Sequence, residues 1–493
     1  MQPVVIEGGH VIDAATGLDG RFDVLIAGGV IEGIEAPGAF RQAGDVRRVD
    51  ASGKWVIPGC VDLHVHLREP GEEWKETIQT GAEAAVLGGY TSICCMPNTK
   101  PANDSAETTR YILEKARAAG AARVLPIGAV SMERKGKNLA PYSELAKAGC
   151  VAFSDDGDPV ADAGLMRRAL EWCLMLGLPI ACHEEDRNLS CGGCMNESPL
   201  SLRMGLKGFP GVAEDVMIAR DIELARFTKG KVHICHVSTA RGVELIRRAK
   251  HDGIAITCEV APHHLMLSEE SVTGYNTNCK MMPPLKASED VKGLFAGLSD
   301  GTIDAIASDH APHDRDSKQV EFSRATVGIL GLQTSLPLAV EMCLAGAISR
   351  TRMVDLLCSG PARAFGLPYG TIRPGSAADV VVLDPRREWV FAEESIRSKS
   401  KNSPFIGRKL TGATDHVFVG GKHVVAGGRL VAEAGQGQSG VNHRGRRPGK
   451  LDTWPSLMGR SSKASVSARF VTGRIPSLAS WFSTRPCTDT RKS

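Results

Sequence analysis

Short apolar, β-branched runs recur along the chain roughly every thirty residues, each followed by a polar turn and then by apolar positions at helical spacing. This is the rhythm of consecutive strand-helix units. Strands are expected to end near His64, Pro97, Gly128, Ser154, His183, His236, Pro262 and Asp309. The intervening helices are clearest in "SAETTRYILEKARAAG" and "EDVMIARDIELARFTKG", where apolar residues fall at i, i+3 and i+4 and a glycine closes the C-terminal end. Eight such units predict an α/β fold, a closed (β/α)8 TIM-like barrel over residues 56–369, with its chemistry at the C-terminal ends of the strands.

The pattern changes on both flanks. Residues 1–55 and 370–433 show short alternating strands with Gly-Gly and Asp-Gly turns, and predict two halves of one small β-sandwich beside the barrel. Residues 434–493 turn to Gly, Ser, Arg and Pro with little periodicity, which predicts a disordered basic tail.

Composition narrows the function classes. A net charge of +3 over 493 residues gives no reason to expect nucleic acid or an anionic membrane as a partner. No apolar run is long enough to cross a bilayer, and "MQPVVIEGGH" lacks the features of a secretory signal, so a cytoplasmic protein is expected. The 14 cysteines stand in apolar segments such as "TSICCMPN", which suggests reduced, buried thiols. Cys191 and Cys194 form a single C-x-x-C, read as a loop with two thiols rather than a zinc or redox motif.

The candidate chemistry lies where the strands end. In "PGCVDLHVHLREPG", strand alternation turns His64 and His66 to one side and Val65 to the other, so the two imidazoles can share a metal. His183, His236 and Asp309 stand at three further strand ends. Any one of them alone would be an ordinary hydrogen-bonded polar residue, but five metal-capable groups at one edge of a barrel indicate a metal site. Two cations held close together need a bridging anion, which Asp155 or Asp156 in "FSDDG" can supply; spacing does not choose between them.

In order along residues 4–433, "DLHVHLREPG", "MPNT", "FSDDG", "HVSTA", "PHHL", "DGTIDAIASDHAPH" and "SKSKNSPF" resemble the dihydroorotases of the long bacterial class, within the amidohydrolase superfamily. The resemblance implies reversible ring opening of (S)-dihydroorotate to N-carbamoyl-L-aspartate in pyrimidine synthesis, through a hydroxide held by two zinc ions. It makes His64 and His66 ligands of one ion, His183 and His236 ligands of the other, Asp156 the bridge, and Asp309 both ligand and general base. Arg68 and Asn98 would then take the substrate carboxylate, with His66, His313, Val327 and Gly328 also lining the substrate. The chain departs from the family at Met282, where an asparagine is usual, at Val327, where an aromatic is usual, and in "APHDRDSK", which lacks the Glu-Glu-Lys ending. A homodimer and association with aspartate transcarbamoylase are the partners the family suggests. The alternatives are another cyclic-amide hydrolase (a hydantoinase, dihydropyrimidinase or allantoinase) and a non-catalytic partner of aspartate transcarbamoylase. The former usually bridge their metals with a carboxylated lysine after the fourth strand, where this chain has "FSDDG".

Overall fold

The computed structural model describes residues 2–431. The tail expected over 434–493 lies outside the described residues. Eight parallel strands form one sheet in sequence order: Cys60–Val65, Tyr90–Cys95, Arg123–Gly128, Ala152–Phe153, Ile180–Cys182, Val232–Ile234, Ile256–Val260 and Ala305–Ile306. The sheet closes between its first and eighth members through a parallel bridge from Val65 to His310, where the His66 N–H donates to the His310 carbonyl at 2.9 Å. Each strand ends within three residues of the position read from the sequence, the widest difference being Ile306 against Asp309.

Side-chain alternation explains why the barrel closes. Leu63, Cys94, Ile127, Ala152, Ala181 and Ala305 from six of the strands, with Cys235 just past the end of Val232–Ile234, form one cluster of mostly small residues. Their neighbours Ile93, Phe153, Ile180, Ile234 and Val260 belong to the main core instead, together with helix residues such as Ile112, Leu170 and Ile246. Small groups on one face and large β-branched or aromatic groups on the other fit a narrow barrel wrapped by helices.

The two marked helices form at Ala106–Ala119 and Val212–Thr228. Ser105 caps the first by accepting from the Thr108 N–H, and Gly120 ends it at φ 62°. The second corrects the sequence reading: Lys229, at φ 64°, takes the left-handed position, not Gly230. Gly230 is required for another reason, since a Cβ there would stand 2.9 Å from Leu170 Cβ.

The flanks join in one nine-stranded sheet. Trp55–Pro58, which leads straight into the first barrel strand, pairs with the N-terminal strand Val4–Asp13 on one side and with Val380–Val390 on the other. The sheet curls back on itself through the bridge between Val30 and Ala377. Alternation again divides the labour: Val56, Val380 and Val382 fill the sheet's own core, while Trp55, Ile57, Val381 and Leu383 pack into the main core with the barrel.

Candidate metal centre

Four of the histidines singled out in the sequence converge on Asp156. Its Oδ1 lies 3.4 Å from His64 Nε2, 3.5 Å from His236 Nε2 and 3.7 Å from His183 Nδ1, and its Oδ2 lies 3.6 Å from His66 Nε2. Asp309 Oδ1 lies 3.5 Å from His64 Nε2 and 3.3 Å from His66 Nε2. His183 Nδ1 and His236 Nε2 are 3.0 Å apart. Asp155, whose case was left open with Asp156, turns away: it accepts from the Val130 and Ser131 N–H groups at 2.9 and 3.0 Å and from the Ser131 hydroxyl.

Two overlapping ligand sets result, His64, Asp156 and His236, and His64, His66 and Asp309, each with its donor atoms within 4.8 Å of one another. His64 Nε2, Asp156 Oδ1 and Asp309 Oδ2 are buried and make no hydrogen bond among the described residues. Lone pairs crowded in this way repel unless protons or cations lie among them, so the donor set fits divalent metal ions with a preference for imidazole and carboxylate. The electrostatics of the groups carry the same tension. Burial drives Asp309 well above the carboxylate range against the pull of His64, while Asp156, also penalised by burial, is held well below it by His64, His236 and His66.

Several residues that the sequence reading passed over fix the imidazoles. His64 Nδ1 bonds Glu259 at 2.8 Å, and the other oxygen of Glu259 bonds His233 at 3.1 Å. Against burial, these bonds from His233 and His64 bring Glu259 down to about 2, so it is a full carboxylate and leaves the Nε2 lone pair of His64 facing the cluster. Asn98 does the same for His66, its Oδ1 lying 2.9 Å from Nδ1. Asp62 Oδ1 accepts from the N–H groups of His64 and Ser308, both at 3.1 Å, and so ties the first strand to the eighth. Arg68, His236 and Asp309 all have positive φ, at 61°, 33° and 45°. Left-handed backbone at non-glycine residues costs about 1–3 kcal/mol each and persists where the surroundings impose it.

Arg68 is buried beside the cluster. Its Nε donates to the Pro312 carbonyl at 3.2 Å, one terminal nitrogen lies 3.2 Å from His313 Nε2, and among the described residues no carboxylate is within ion-pairing distance. Gly328 adjoins His313: a Cβ at 328 would stand 2.7 Å from His313 Cδ2 and 2.6 Å from the Ala311 carbonyl oxygen. Both peptide groups of Gly328 are engaged, the N–H with the Lys280 carbonyl and the C=O with Asn402 and Lys318. Val327 and Met282 are half-buried, and Met282 lies two positions beyond Lys280.

Known proteins resemble this chain over most of its length. A family model described as dihydro-orotase-like matches residues 53–242. A dihydroorotase of Anaeromyxobacter sp. (strain K) is 52% identical over 421 residues, covering 85% of this chain and 97% of the relative. The chain belongs to the dihydroorotase family. Another dihydroorotase, from Geotalea daltonii, is 48% identical over 85% of this chain and 99% of its own length. Among solved structures, L-hydantoinase (dihydropyrimidinase) from Arthrobacter aurescens superposes with a TM-score of 0.78 at 25% identity, covering 88% of this chain and 98% of the neighbour. Dihydropyrimidinase from Brevibacillus agri superposes at 0.75 and 24% identity, over 87% and 96%. The dihydroorotase barrel is thus shared with hydrolases of other cyclic amides. Among the described residues, no helix is long and apolar enough to cross a membrane.

Proposed function

We propose that the chain is a metal-dependent dihydroorotase, which opens (S)-dihydroorotate to N-carbamoyl-L-aspartate and closes it in reverse, in the de novo synthesis of pyrimidines. One observation carries the choice of substrate: a buried guanidinium, Arg68, stands beside the imidazole and carboxylate cluster without an ion-paired carboxylate among the described residues. Arginine binds a carboxylate through two parallel charge-assisted hydrogen bonds, and dihydroorotate carries a carboxylate where the uncharged ring of a dihydropyrimidine or hydantoin carries none.

His64 and His66 would hold one zinc ion, His183 and His236 a second, with Asp156 shared and Asp309 as a further ligand. Two such ions supply Lewis acidity at the ring carbonyl and make water nucleophilic at neutral pH. The chain does the rest. Arg68 and Asn98 receive the carboxylate, Asn98 through the amide N–H groups left when its carbonyl oxygen is committed to His66, and His313 contacts the substrate beside them. Asp309 Oδ2, which has no hydrogen-bond partner among the described residues, takes the proton of the attacking water and returns it to the departing ring nitrogen. Gly328 and Val327 wall the pocket, Gly328 by lacking a side chain. At position 282 a thioether cannot supply the donor and acceptor of an amide, a loss of about 1 kcal/mol of binding.

Asp156 stands where a carboxylated lysine is usual in the hydantoinase-like hydrolases, which weighs against that reading. The convergence of every predicted ligand weighs against a non-catalytic partner of aspartate transcarbamoylase, since a scaffold has no use for it. A cytoplasmic location is supported by the described cysteines, all of which are unpaired. The same reading includes a homodimer and association with aspartate transcarbamoylase, both read out by sizing. The decisive experiment compares turnover of dihydroorotate, dihydrouracil, hydantoin and allantoin before and after chelation, with metal analysis. About two ions per chain and chelator-sensitive activity confined to dihydroorotate are expected. Equal rates on the uncharged rings would overturn the role of Arg68.

A further inference from the structure

The segment "SKSKNSPF" belongs to neither the metal cluster nor the pocket wall, yet most of its polar residues are buried. At one end it is anchored beyond the "HLREPG" turn: the Ser398 hydroxyl donates to Glu76, the Lys399 N–H to Glu76 at 3.1 Å, and the Ser400 hydroxyl to the Lys75 carbonyl at 2.6 Å. At the other end Asn402 reaches into the pocket loops. Its Oδ1 accepts from the His313 N–H at 3.0 Å, and its Nδ2 donates to the Ala311 carbonyl at 2.9 Å and the Gly328 carbonyl at 3.0 Å. Lys318 adds a second donor to the Gly328 carbonyl at 3.1 Å and bonds the Thr326 carbonyl at 2.9 Å.

These bonds run to the groups that hold Arg68. The Pro312 carbonyl and the His313 ring are the two hydrogen-bond contacts of its guanidinium among the described residues, and they lie between Ala311 and His313, whose main chain Asn402 fixes. None of the Asn402 bonds reaches His64, His66, Asp156, His183, His236 or Asp309. One acceptor and two donors are all used, a combination that a neutral side-chain amide supplies and a carboxylate does not.

We propose that Asn402 is a positioning residue for recognition of the substrate's carboxylate: it locks Pro312 and His313 against Arg68, and Gly328 against His313, so that the guanidinium is preoriented before substrate arrives. The proposal rests on the dihydroorotase reading. Preorientation of this kind acts on binding, because the ordering cost is met in the free protein.

The test uses the full chain carrying Asn402→Asp, which keeps the acceptor and loses both donors, and Lys318→Met, which removes the second donor on Gly328. For Asn402→Asp, KM for dihydroorotate is expected to rise about tenfold or more, the scale of one or two hydrogen bonds, with kcat within about threefold of wild type. Metal content is expected to stay unchanged, and dihydrouracil, a ring without the carboxylate, to compete equally with both proteins. Lys318→Met is expected to raise KM by a smaller factor, and it carries the comparison alone should Asn402→Asp not fold. An unchanged KM in whichever variant folds overturns the proposal. So does a fall in kcat or metal content with KM retained, which would assign Asn402 to the metal half of the site. A wild-type chain that leaves dihydroorotate untouched removes the parent reading instead, and is distinguished by needing no variant.

Discussion

Asp155 and Asp156 are neighbours with the same side chain and the same slight exposure, but their surroundings give them opposite duties. Three donors from the loop after the third strand satisfy Asp155, whereas Asp156 faces four imidazoles. Asp155→Asn is therefore expected to destabilise the fold by about 1–3 kcal/mol, the cost of unsettling a buried hydrogen-bonded group, with metal content retained. Asp156→Asn is expected to melt close to wild type and to lose metal. Paired thermal melts and metal analyses check both, and a reversed pattern would exchange the two roles. The sequence shows the pair but not this division, because the deciding groups are distant in the chain. Histidines at strand ends were readable, since few other reasons place five metal-capable residues on one edge. Glu259 and Asp62 were not: an acid inside an apolar run looks like a strand defect until His64, His233 and Ser308 are seen around it.

Strands and helices with strong periodicity were legible to within a turn, and the errors have local causes. Lys229 accepts left-handed backbone because close packing against Leu170 reserves the glycine for the next position. The loop between residues 311 and 328 had no periodicity to read. It is held through its carbonyl groups by Lys280, Lys318 and Asn402, contacts that leave no trace in the hydrophobic pattern. Burial draws the Lys318 ammonium down to about 7, from about 10.4 in an unfolded chain. Between those values the unfolded chain binds the extra proton, so Lys318 makes stability rise with pH across that window and contributes no slope below it. The stability of wild type relative to Lys318→Met is expected to climb from pH 7 to pH 10 and to be level below pH 7. Denaturant titrations at intervals across the range measure it, and parallel curves would remove Lys318 as the source.

At the scale of the whole molecule, the barrel was legible from its repeat, and the sheet was legible as two flanking textures. That the two flanks join was legible too, but not the pairing that joins them: Trp55–Pro58 has partners from both ends of the chain, and pairing partners are not encoded locally. The last pairing of the sheet, between Lys422–Ala426 and Arg429–Leu430, is complete within the described residues. A chain ended after residue 431 is accordingly expected to keep its metal content and its turnover. One ended before Val380 is expected to be recovered as aggregate, having lost Val381, Leu383, Leu410 and Val417 from the core shared with the barrel. Expression of the two truncations, followed by sizing and assay, decides it; a soluble, active shorter chain would sink the argument.

The pairing of Pro58 with Val380 also sets a timetable. At about 5–20 residues per second, a ribosome needs on the order of 15–60 s to pass from one partner to the other. Throughout that interval the segment leading into the His64 strand lacks its neighbour on one side. The nascent chain thus carries an open β-edge through most of its own synthesis, close to the same edge on any second copy growing on the same message.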